Sequence, residues 1–229
     1  MFTYKDYYDM VTTVGSSGKQ VYFRHDVDIS LDKALEMAER EQKMGLAPTI
    51  YFILPTSPYY NILSKRDSRK IIMLKELGHK IGLHYDLSVY QTDDIQEQAN
   101  VILAQKQILE GVFNEEIIAC SAHKPAMGKS PTRELGALLQ IAGLHEVNLT
   151  MPGFKYISDS GMNWREDWRE VVKANDKIQV NTHPEWYGEE EGTWQERIRD
   201  CNLDQQLFKL INDEIDSIGE YHEKVLRGN

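Results

Sequence analysis

Short β-branched or aromatic runs alternate with longer amphipathic stretches along most of the chain, and this alternation restricts the fold more than any other feature. Val21-Tyr22-Phe23 reads as a strand, followed by Leu31, Ala34, Leu35 and Ala38 at helical spacing, with Ser30 as N-cap and Gly45 as the stop. The unit returns as a strand over 49–54 closed by Pro55, a helix over 68–77 ended by Gly78, and a strand over 80–83 running into His84. A helix over 93–109 precedes Gly111, a strand over 117–120 runs into His123, and a helix over 132–142 is followed by Gly143. Weaker strands are expected over 146–149 and 154–157, a further strand over 177–180 leads into His183, and the tail from 195 to 225 reads as largely helical. Repeated strand-then-helix units predict an α/β fold, a parallel sheet or barrel with helices outside.

With 229 residues, 41% of them hydrophobic, and no Pro/Gly/Ser-rich linker, a single catalytic domain over residues 1–229 is expected. A formal net charge of −10 argues against nucleic acid or an anionic membrane as partner. No apolar run approaches the roughly 20 residues that span a bilayer, and the first residues lack a basic start and apolar core, so a cytoplasmic protein with no membrane span is expected. Cys120 and Cys201 lie far apart without a CxxC, which implies neither a disulfide framework nor a cysteine zinc knuckle. Gly15-Ser16-Ser17-Gly18-Lys19 fails as a phosphate loop, because Thr13 stands at the first glycine position and Gln20 where Ser or Thr is needed. There is no GxSxG elbow for a serine hydrolase.

The chemistry gathers at strand exits. Asp26 and Asp28 sit two residues apart where the first apolar run gives out, and in a strand such residues share a face. Two anions so close require a cation or a shared proton. A metal with one carboxylate as ligand and the other as base meets that need. Taken alone, a DxD pair is more often a turn or a cap; its weight comes from following a strand and from His84, His123 and His183, each just past another strand. In parallel α/β folds that rim is where active sites are built. His79 reads as structural at a helix-to-strand turn, and His145 and His222 as ordinary surface or interface residues.

Five segments carry a family resemblance: His25-Asp26-Val27-Asp28; Gly78-His79-Lys80-Ile81-Gly82-Leu83-His84; His123-Lys124-Pro125; Tyr156-Ile157-Ser158-Asp159-Ser160-Gly161 with Trp164; and Asn181-Thr182-His183-Pro184-Glu185-Trp186. In this order they resemble the polysaccharide deacetylase family, the NodB-homology or carbohydrate esterase 4 group, and especially its cytoplasmic branch in surface-polysaccharide biosynthesis. The resemblance implies a distorted (β/α) barrel, a bound divalent metal, and hydrolysis of an acetyl group, N-acetyl first, from a sugar, sugar nucleotide or polysaccharide precursor. By position, Asp26 resembles the general base, Asp28 the first metal ligand, His84 the first histidine of the metal pair, and His183 the general acid. Trp164, Trp186 and Tyr187 offer an apolar platform for a sugar ring or acetyl methyl. Asp159 either orients a substrate hydroxyl or closes a turn.

One position departs from the pattern. The family's second metal histidine usually lies four residues after the first, where this chain has Ser88. A third ligand must come from elsewhere: His123 is the first candidate, in a stretch where the family usually places an arginine, and Asp86, two residues after His84, is the second. Mixed oxygen and nitrogen ligands suit zinc first, and also cobalt, nickel, manganese or iron. Two other readings stand beside the deacetylase. One is a metal-independent amidohydrolase acting on a small amide, as in allantoinase-like relatives; the other is a catalytically inactive sugar-binding protein.

Overall fold

The computed structural model describes residues 2–46, 48–90, 92–123, 130–203, 205, 208, 209, 212, 215, 216 and 218. Strand β1 (Gln20–Val27) pairs on one side with β2 (Ile50–Ile53) and on the other with β7 (Lys177–Thr182). Beyond β2 come β3 (Lys80–Tyr85), β4 (Ala119–Ala122) and the two-residue β5 (His145–Glu146), while β6 (Lys155–Ser158) flanks β7. The order is therefore β5-β4-β3-β2-β1-β7-β6, every pair is parallel, and the sheet curls into an open barrel. Parallel neighbours need crossovers, supplied by α2 (Leu31–Lys43), α3 (Lys65–Glu76), α4 (Ile95–Phe113), α5 (Arg133–Ile141) and α6 (Trp168–Ala174). The distorted (β/α) barrel expected from the sequence is the fold observed.

The caps follow the sequence closely. Ser30 caps α2 through the Lys33 amide, Asp94 caps α4 and Thr132 caps α5. Two helices were not anticipated: α1 (Tyr4–Gly15), opened by a Thr3/Asp6 capping box, and α6, capped by Asp167. In the tail, α7 (Trp194–Asp200) ends near Asn202, whose φ is 52°, and the positions described from 203 to 218 are helical. The part of the predicted tail helix beyond 218, with His222, lies outside the described residues.

Two apolar layers hold the helices to the sheet. One joins Ala34, Ile53, Ile71, Leu83, Ile102 and Leu135; the other joins Tyr7, Met10, Val14, Val171, Ile178 and Val180. On the concave face Gly82 makes room for Phe52, since a Cβ there would lie 2.6 Å from the Phe52 ring.

Between β1 and α2 the apolar layer is interrupted by a buried acid. Glu41 accepts hydrogen bonds from the hydroxyls of Tyr7, Thr49 (2.9 Å) and Tyr51 (2.9 Å), and its carboxylate lies 3.0 Å from His25 Nε2 and 3.6 Å from His79 Nδ1. Burial works against its charge, yet His25, with the Tyr7 hydroxyl and His79, brings the carboxyl down to about 2 from an ordinary 4.5. A lowered carboxyl adds stability that is complete above the unfolded value and is lost as pH falls from about 4.5 towards about 2, worth about 3 kcal/mol at neutral pH. Urea unfolding followed across that window is expected to lose stability more gently, by about one proton's worth of slope, in Glu41→Gln than in the native chain. Equal slopes would contradict the assignment.

Candidate active site

Asp26 lies on β1, and because side chains alternate along a strand, Arg24 and Asp26 face the concave side while His25 faces α2. Asp28 follows the end of β1, His84 is near the end of β3, and His123 and His183 are the first residues past β4 and β7. Parallel pairing puts these four ends on one rim of the sheet, with β2 between β3 and β1.

Asp28, His84 and His123 converge. Asp28 Oδ1 is 3.3 Å from His84 Nε2 and 3.3 Å from His123 Nδ1, and the two nitrogens are 3.1 Å apart with their rings nearly perpendicular at 85°. A tetrahedral ion with bonds of about 2.0 Å sets its ligand atoms about 3.3 Å apart, so this triangle has the edges of one face of such a site. His84 Nδ1 donates to the Ser121 carbonyl at 2.9 Å and lies 2.8 Å from its hydroxyl, which leaves the Nε2 lone pair for an ion. Asp28 Oδ1 is buried and accepts no hydrogen bond among the described residues. Together with the mixed oxygen and nitrogen donors, these features fit a divalent metal. Burial disfavours charge on both groups, but His123 and His84 hold the Asp28 carboxyl well below the usual range, while Asp26 and Asp28 raise His84 above it.

Asp26 is held by three donors. Its Oδ1 receives Arg24 Nη1 at 2.7 Å and the Ser121 hydroxyl at 3.2 Å, and its Oδ2 receives Asn181 Nδ2 at 2.8 Å. That Oδ2 also lies 3.9 Å from His84 Nε2. Burial favours the neutral acid, but Arg24, then His84 and His183, keep the carboxyl ionised below its ordinary value. Arg24 is itself buried, with its guanidinium 5.2 Å from the Phe52 ring centroid and 5.7 Å from that of Tyr156.

His183 turns Nε2 towards the same centre, 3.9 Å from Asp28 Oδ2. Its Nδ1 donates to Asp159 Oδ1 at 2.6 Å, its backbone amide donates to Asp159 Oδ2 at 3.2 Å, and the Tyr187 hydroxyl donates to the same oxygen at 2.9 Å. Burial disfavours the imidazolium, but Asp159, with smaller help from Asp28 and Glu185, raises His183 well above its ordinary value. Glu185 is fully buried, with no hydrogen bond to either oxygen among the described residues; burial, then the nearby Asp28 charge, pushes its carboxyl well above the usual range.

Several sequence expectations change here. Asp159 was expected to orient a substrate hydroxyl or close a turn; it is wholly buried, and its carboxylate is taken up by His183 and Tyr187. Tyr187, expected in an apolar platform, is buried with its hydroxyl on Asp159. Asp86 does not join the metal triangle: its carboxylate caps its own turn through the Ser88 amide at 2.8 Å and hydroxyl at 2.6 Å. Trp186 is partly buried, 6.4 Å from His183 between ring centroids, while Trp164 packs partly buried on the apolar layer that contains Tyr187. Glu189 in the acidic run pairs with Arg40. Lys124 and Pro125 of the third segment lie outside the described residues. Arg24 and Ser121 lay outside the five segments, and Asn181 and Glu185 lay within the fifth without an assigned role; a charged residue two positions before Asp26 on a strand's inner face was a further clue.

No family model matches the sequence, and no curated protein does. Solved structures do match. A CE4 family pseudoenzyme from Bacillus anthracis aligns with a TM-score of 0.52 at 14% identity, over 84% of this chain and 61% of that one. A mutant of that pseudoenzyme with restored enzymatic activity aligns with 0.51 at 14%, over 84% and 63%. The chain thus spans less than two thirds of the length of these two. The chitin deacetylase from the fungal pathogen Colletotrichum lindemuthianum aligns with 0.50 at 13%, over 81% of each chain. The open parallel barrel of this protein is the fold of the carbohydrate esterase family 4 deacetylases.

Proposed function

We propose that the protein is a metal-dependent hydrolase that removes an acetyl group, by preference an N-acetyl group, from a sugar or polysaccharide precursor. The observation that carries this reading is the Asp28, His84 and His123 triangle, with sides of 3.1 to 3.3 Å, beside a gripped carboxylate and a protonated imidazole. A divalent ion held there, zinc by its donor set, supplies Lewis acidity towards an acyl carbonyl and lowers the pKa of a water. Asp26 stands beside His84 as the group that takes the proton of the attacking water. Arg24, Asn181 and Ser121 fix its orientation and keep it ionised. His183, charged through Asp159, holds a proton on Nε2 for the leaving nitrogen, which departs poorly as an anion. Substrates that the matched structures' names mention, chitin among them, set the first compounds to try.

The test joins two measurements on the purified protein. Metal analysis and zinc titration are expected to give one ion per chain, with affinity reduced about 10³-fold or more in His123→Ala and falling as pH drops, because the imidazoles must shed protons to bind. Acetate release is then measured with chitin oligosaccharides and UDP-N-acetylglucosamine. Activity without metal would favour the metal-independent amidohydrolase, and tight sugar binding without acetate release would favour the inactive binding protein.

A further inference from the structure

The β1–β7 ladder runs in register from Gln20 opposite Lys177 to His25 opposite Thr182, and there it ends. The next residues along the two strands are Asp26 and His183, placed above as base and acid. His25 and Thr182 are therefore the last pair that sets these two strand ends against each other, and alternation turns both side chains to the face opposite the site. On that far face they bond directly: His25 Nδ1 lies 2.7 Å from Thr182 Oγ1.

The pair is anchored in its turn. His25 Nε2 lies 3.0 Å from Glu41 Oε1, and the His25 ring lies 4.4 Å from the Tyr51 ring at 30° between planes. Tyr51 is the registered neighbour of His25 on β2, and its hydroxyl donates to Glu41. Nε2 faces the Glu41 carboxylate and Nδ1 faces the Thr182 hydroxyl, so one ring links the two groups. The chain Glu41–His25–Thr182 is wholly buried, and it runs from α2 across β1 to the end of β7.

We propose that the Glu41–His25–Thr182 chain is a positioning device, with His25 and Thr182 setting the distance and orientation of Asp26 relative to His183 through the backbone. The proposal rests on the hydrolase reading above. A displacement near 1 Å between reacting groups can cost about 10²-fold in rate, and such groups keep their geometry only when the shell behind them is locked. Asn181 contributes a single grip on the near face, through its bond to Asp26. The His25–Thr182 bond supplies the matching grip behind.

Thr182→Val keeps the side-chain shape and removes the hydroxyl, leaving His25 on Glu41; Thr182→Ser keeps the hydroxyl. With a chitin oligosaccharide as substrate, Thr182→Val is expected to lower kcat about 10-fold with KM and zinc content unchanged, and Thr182→Ser to stay within about twofold of the native chain. Nitrogen-15 spectra are expected to show the His183 Nδ1–H resonance, held by Asp159, displaced in Thr182→Val and restored in Thr182→Ser. A Val variant with native kcat and an unmoved resonance overturns the proposal. If the native chain releases no acetate, the hydrolase reading fails by itself, and the His183 resonance alone then decides: displacement upholds the coupling and its absence refutes it.

Discussion

Asp26→Asn is expected to lower kcat for acetate release by about 10²–10⁴-fold while zinc remains bound at saturating metal. An amide cannot take a proton from water at neutral pH, and the substitution keeps the shape of the group. It also disturbs the grip, because three donors, Arg24, Ser121 and Asn181, converge on the two carboxylate oxygens, and one end of an amide is itself a donor. The measurement is acetate release at several substrate concentrations together with metal analysis of the same sample. A variant with native kcat would remove Asp26 from the reaction; one that has lost its metal would recast Asp26 as part of the ion's cage.

Glu41→Ala is expected to destabilise the protein by about 3–5 kcal/mol, the range for breaking a buried ionic cluster from one side. Tyr7, Tyr51, Thr49 and His25 would all lose their shared acceptor inside a dry layer. For a chain of this size the thermal midpoint should fall by about 6–20 °C. Calorimetry or urea unfolding gives the number, and a loss below about 1 kcal/mol would mean that water or a neighbouring group satisfies those donors instead.

Much of the fold was legible because chain crossovers impose a rhythm that composition betrays. Gly45, Gly78 and Gly143, read as helix stops, have φ of 66°, 91° and 75°, a conformation glycine adopts without strain. Strand β1 runs on through Arg24, His25 and Asp26, which from sequence break the apolar run. All three are buried there, because each side chain finds a charged partner on its own face of the sheet. Helix α1 went unread because four of its five inward residues, Tyr4, Tyr7, Val11 and Val14, are aromatic or β-branched types with modest helical propensity, Met10 being the exception; tertiary burial decides their state.

The site was legible where chemistry coincides with a strand end and obscure elsewhere. His123 could be named because it is a histidine at a strand exit. Ser121 and Asn181 are ordinary polar residues whose importance lies in what faces them across the sheet, and spacing along a chain does not encode that. Asp159 and Tyr187 were recognisable as notable, but their contact with each other and with His183 was not. A carboxylate under an imidazole and a carboxylate facing solvent look alike until the third dimension is known.

Among the described residues the open barrel has β5 and β6 as its outer strands, each paired on one side, and such edges are the usual entry point for edge-to-edge association. On one flank β5 contributes two residues, too short a template to recruit another chain. The other flank, β6, offers four residues with Lys155 and the half-open Tyr156 among them, so any self-templating by this protein under destabilising conditions should begin there.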